Sequence, residues 1–75
     1  MTEEDKKHAI AQIFMAWKEL YTLSETITRL GNAAHEAGST TTQHQLEVIH
    51  HNLDKTQREL VSTISQIKNI KGESK

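Results

Sequence analysis

Apolar side chains recur along the first half of the chain at Ala9, Ile13, Ala16, Leu20, Leu23, Ile27, Leu30, Ala34 and Ala37. Their steps alternate four and three without a miss, which is a heptad seam along one side of a helix. Thr2 is placed to act as N-cap, and Glu3, Glu4 and Asp5 put negative charge where the helix dipole is positive. Gly38 follows the last seam residue and suits a left-handed C-cap. Gly31 falls inside the helix, where glycine costs about 1 kcal/mol relative to alanine.

The run Gly38-Ser39-Thr40-Thr41-Thr42 is the one clear break. Its hydroxyl-rich, β-branched residues disfavour helix interiors and favour caps. Beyond it Leu46, Ile49, Leu53, Leu60, Ile67 and Ile70 share a second heptad face, with Thr56 and Thr63 filling the two remaining positions. Lys68 and Lys71 suit a helix C-terminus, and Gly72 can cap it. The pattern therefore predicts a single domain over 1–75: one helix over about 3–37, a turn over about 38–41, a second helix over about 42–71 and a frayed tail over 72–75.

Helices of that length span roughly 52 and 45 Å. A compact globule of this size has a radius of gyration near 11 Å, so neither helix fits inside one. The short turn makes the helices antiparallel neighbours, and the expected fold is all-α, a coiled-coil-like helical hairpin. Charge agrees with that pairing. Glu3, Glu4 and Asp5 at the start come alongside Lys55, Arg58, Lys68, Lys71 and Lys75 near the end. Exposed pairs of this kind contribute about 0–1 kcal/mol each, so they choose orientation rather than supply stability.

A second stripe changes the picture. Ile10, Phe14, Trp17 and Tyr21 each follow a seam residue by one, which sets them roughly 100° around the helix. They include all three aromatic residues of the protein. Val61 and Ile64 form a shorter counterpart on the second helix, displaced in the same sense and at the same end of the hairpin. One partner helix does not cover two faces of another. The expectation is a four-helix bundle or higher homo-oligomer formed through Ile10, Phe14, Trp17, Tyr21, Val61 and Ile64, with this face also able to receive another protein.

Composition narrows the function classes. The chain has 75 residues, no cysteine, no proline and three glycines, with 25% charged residues and a net charge of −1. It buries only roughly 60–65% of its unfolded surface if it folds alone, so it calls for support from a partner chain. Without cysteine it has neither disulfides nor thiolate metal sites, which suits the reducing cytoplasm. No run of about 18 apolar residues points to a membrane, and an acidic helix start is the wrong charge for an interfacial one.

Histidine is the obvious candidate chemistry. His35, His44, His50 and His51 gather around the turn, and Glu47 stands three residues before His50. No two histidines stand four apart, and His44 and His51 are about 10 Å apart along the axis, too far for one ion. No metal or other cofactor is expected. Ser24, Ser62 and Ser65 lie on helices without an assembled nucleophile–base pair, so no enzyme is expected either.

The main reading is therefore a non-enzymatic interaction module of adaptor, co-chaperone or inhibitor type. A ligand-sequestering bundle is the alternative, with Lys55 and Arg58 contacting a small anion or nucleotide between subunits. Direct nucleic-acid binding is a weaker third, because bases alternate with acids and no recognition module is present.

Overall fold

The computed structural model describes residues 1–70, in which two helices form an antiparallel hairpin: α1 (Glu3–Glu36) and α2 (Thr40–Lys68). The hairpin is a rod of 62 × 14 × 10 Å with a radius of gyration of 17.4 Å. No strand occurs among the described residues.

Each end of α1 is tied down by the residues the pattern singled out. The Thr2 hydroxyl accepts a hydrogen bond from the Asp5 amide at 3.0 Å, and the Asp5 carboxylate accepts one from the Thr2 amide at 3.4 Å. This reciprocal capping box satisfies two backbone donors that a helix start otherwise leaves open. At the other end Gly38 takes φ +78°, the left-handed conformation expected of it. The Ser39 amide reaches back to the Ala34 carbonyl at 2.9 Å and the Gly38 amide to the His35 carbonyl at 3.0 Å. Those two bonds make a Schellman motif, and they reverse the chain within Ala37–Ser39.

The turn is thus shorter than the expected 38–41, and α2 starts at Thr40. Ser39 is its N-cap but forms no side-chain cap bond, because its hydroxyl donates to the Thr42 hydroxyl at 2.8 Å instead. The far end of α2 closes at Asn69, whose amide donates to the carbonyls of Ser65 and Gln66, both at 3.2 Å. Lys71, Gly72 and the expected frayed tail lie outside the described residues.

The packing seam corrects the expected one. Ile13, Leu20, Ile27 and Ala34 face α2 as anticipated, and Ala9 and Ala16 are half-buried beside them, but Ile10, Trp17, Ser24 and Gly31 flank the column on its other side. Leu23 and Leu30, expected inside, stand 46% and 49% exposed, while Ser24 is 8% exposed. On α2, Leu46, Leu53, Leu60 and Ile67 remain on the seam, with half-buried Ile49 and Thr63 on the expected flank and half-buried Gln43, Gln57 and Ile64 on the other, whereas Thr56 and Ile70 are exposed.

The physical reason lies in the shared column of residues seven apart. A heptad seam adds to that column either the positions three ahead or those four ahead, a rotation of about 100° between the two flanks. In the terminal half of α1 the choice sets Ile10 and Trp17 against Ala9 and Ala16, and the larger side chains bury more apolar surface. A continuous helix carries that choice on to the turn half. There it buries Ser24 and Gly31 and turns Leu23 and Leu30 outward.

Gly31 tests this account. An added Cβ would meet no atom within 4 Å. Gly31→Ala is therefore expected to stabilise the hairpin by about 1 kcal/mol, the helix-propensity difference, measured as a higher urea midpoint at unchanged slope. A fall in stability would mean that the helices approach through this glycine more closely than the geometry indicates.

Candidate docking face

Trp17 stands close to the middle of α1, just on the terminal side, and the other two rings are arrayed on it. Phe14 lies 6.3 Å away with its ring plane 10° from that of Trp17, and Tyr21 lies 5.8 Å away at 8°. Spacings of three and four residues set the three rings in a row along one side of the helix. The Lys18 ammonium sits over the Phe14 ring, 5.5 Å from its centre. Gln57 of α2 crosses to donate to the Trp17 carbonyl at 3.4 Å, so these two residues stand at the same height on the rod.

The six residues picked out for an interface do not form one separate stripe. Ile10, Trp17 and Ile64 are half-buried and belong to the seam itself. Phe14 and Tyr21, each 52% exposed, and Val61, 54% exposed, stand one position further out. Each of the three lies on the same side of its seam column, and in an antiparallel pair that side is common to both helices. The face therefore has a half-covered base of Ile10, Trp17 and Ile64 beneath a raised rim of Phe14, Tyr21 and Val61.

Toward the turn the same face sinks into a groove. Tyr21, Ser24, Thr28, His50, Asp54 and Gln57 line its first part. Ile27, Gly31, Leu46 and Glu47 continue it. The groove follows directly from the seam correction, since Ser24 and Gly31 are the small residues at the positions where Ile10 and Trp17 stand in the other half. The Ser24 hydroxyl is buried there without a hydrogen-bond partner.

Lysine 6 is the residue that hydrophobic patterning overlooked. It is 8% exposed, and its ammonium donates to the Ile70 carbonyl and pairs with Glu3 at 3.3 Å. The signal was its place seven residues before Ile13 on the seam column. A lysine there lays its methylene stem over the terminal end of the core and brings its charge to the carbonyl end of α2.

Lys55 and Arg58 are both exposed on α2, and neither lines the groove. The Arg58 guanidinium is held by the Asp54 carboxylate at 2.8 Å. The His35 ring bonds the Gln43 side chain across the turn at 3.1 Å, and His44, His50 and His51 are exposed. Among the described residues, no group of three histidine or acidic side chains is placed to hold a metal ion. No helix among them is long and apolar enough to cross a membrane.

Compared with protein-family models, curated proteins and solved structures, the chain matches none of them.

Proposed function

We propose that the protein is a small non-enzymatic interaction module whose hairpins assemble into a helical bundle through the aromatic half-face. The assembly then occupies or bridges another protein, as an adaptor, co-chaperone or inhibitor does. One observation carries this reading: Phe14, Tyr21 and Val61 stand more than half exposed around a half-buried tryptophan, on one face of the rod. Tryptophan and tyrosine are favoured anchors of protein interfaces, and clustered exposed apolar side chains are uncommon on monomers.

Surface area supports it. The chain exposes 5719 Å². A compact monomer of its mass exposes roughly 4,700 Å²; the 62 Å rod exposes more, which leaves room along its side for a standard interface of about 800 Å² per partner. The absence of cysteine suits a cytoplasmic setting, where we place the protein.

Sedimentation equilibrium of the wild type against Phe14→Ser/Val61→Ser tests the proposal. Both side chains are exposed, so the hairpin is expected to keep its helical circular dichroism while the dissociation constant of the assembly rises about tenfold or more. A well-folded wild-type monomer at high micromolar concentration would sink it.

A further inference from the structure

The docking face carries an ordered row of charge, of which Lys7, Lys68 and Glu47 take part in neither of the ion pairs Lys6–Glu3 and Arg58–Asp54. On α1, Lys7, Phe14, Tyr21 and Thr28 stand seven apart on one line. On α2, read from the same end of the rod, the matching line is Lys68, Val61, Asp54 and Glu47. The face thus runs from two lysines, through Phe14 and Val61, to acidic residues beside the groove. Glu47 accepts only a weak bond from Gln43 at 3.4 Å.

We infer that the occupant of this face is a second copy of the chain, stacked antiparallel about a twofold axis at the height of Trp17 and Gln57. The inference rests on the docking proposal above and adds the occupant's direction and register.

The spacing along the rod fixes both. Gln57 marks the height of Trp17 on α2. Lys68 lies eleven residues beyond Gln57 and Glu47 ten residues before it, so each is about 15 Å from that height, on opposite sides. A twofold axis across the face lays α2 on α2 and brings Lys68 of each copy over Glu47 of the other. Lys7 falls diagonal to the same carboxylate.

The same operation matches shape. Ile10 lies seven residues before Trp17 and Ser24 seven after it, so the isoleucine of one copy meets the small, buried serine of the other. Phe14, three residues before Trp17, comes against Tyr21, four after it. The two exposed rings meet rim to rim beside the axis, and each contact is made twice because the interface is isologous. Stacking in the same direction instead sets Lys7 over Lys68, groove over groove and Glu47 beside its own neighbours. That arrangement pairs like with like.

Charge reversal separates these outcomes. Lys68→Glu and Glu47→Lys alter exposed side chains away from the seam, and circular dichroism confirms that each hairpin remains folded. At low salt each variant alone is expected to self-associate about tenfold more weakly than the wild type, because both symmetric contacts become repulsive. An equimolar mixture of the two is expected to associate more tightly than either variant alone as a heterodimer, since both contacts between residues 68 and 47 are again between opposite charges.

Tighter self-association of Lys68→Glu would overturn the inference in favour of same-direction stacking. Unchanged association of both variants, with Phe14→Ser/Val61→Ser still weakened, would leave the docking proposal standing and remove the antiparallel register. A monomeric wild type would remove both.

Discussion

Replacing Trp17 with alanine is expected to disperse the assembly and to cost the hairpin about 2–3 kcal/mol. The two losses have separate origins in one side chain. Its inner part belongs to the seam, where truncating a tryptophan costs about 3–5 kcal/mol when burial is complete and less for a half-buried ring. Its outer part holds the parallel rings of Phe14 and Tyr21 at 6.3 and 5.8 Å. Ring pairs of this kind contribute about 0.5–1.5 kcal/mol beyond the area they cover, and without the central ring the outer two are no longer held in a row. Domains of this size have total stabilities of about 4–11 kcal/mol, so the loss is a large fraction of what holds the helices together. The protein's single tryptophan disappears in this variant, so circular dichroism rather than fluorescence must follow unfolding. Paired with sedimentation, it should show a lower denaturant midpoint and a mass close to 8.5 kDa. An intact assembly at wild-type stability would show that the aromatic row neither braces the seam nor binds.

The second large effect is a contrast between two leucines three residues apart. Leu20→Ala is expected to destabilise by about 2–3 kcal/mol, and Leu23→Ala by less than about 1 kcal/mol. Leu20 lies on the column that faces α2, whereas Leu23 is 46% exposed on the outer side. Periodicity alone assigns both to the core, so equal losses would restore the all-apolar seam and remove the groove built around Ser24. The comparison works within one helix and one residue type, which cancels differences in propensity and in the unfolded chain. Leu30, 49% exposed, should behave like Leu23.

These leucines also mark where the sequence stops being decisive. The helices, the capping role of Thr2 and the left-handed turn at Gly38 follow from residue type and position. So does the column Ile13, Leu20, Ile27 and Ala34, because residues seven apart share a face in any two-helix packing. The flank does not follow, since both candidate sets carry apolar residues: Ala9, Ala16, Leu23 and Leu30 on one side, Ile10 and Trp17 on the other. Counting apolar positions favours the first set, while the bulk of Ile10 and Trp17 favours the second. Only the packed pair shows which prevails.

The candidate face was legible in its residues but not in its relief. Phe14 and Tyr21 were expected to stand beside Ile10 and Trp17 on one stripe, yet a turn of the seam draws two of the four inward and raises the other two. Lys6 was invisible for the opposite reason. A charged residue at a seam position reads as a helix end, and its value comes from the Ile70 carbonyl 64 residues away, which no local pattern records.

The tight reversal over Ala37–Ser39 sets the order in which the hairpin closes. Bringing His35 to Gln43 shuts a loop of a few residues, whereas bringing Trp17 to Gln57 shuts one of about forty, and each longer loop closes at lower entropic cost once the shorter one is shut. Loop entropy therefore favours zipping from Gly38 outward, an order in which the end furthest from the turn is expected to acquire its shape last. A half-zipped chain has its reversal but no finished surface to offer. Under the docking proposal, only a hairpin closed along its whole length presents the rings and lysines in register.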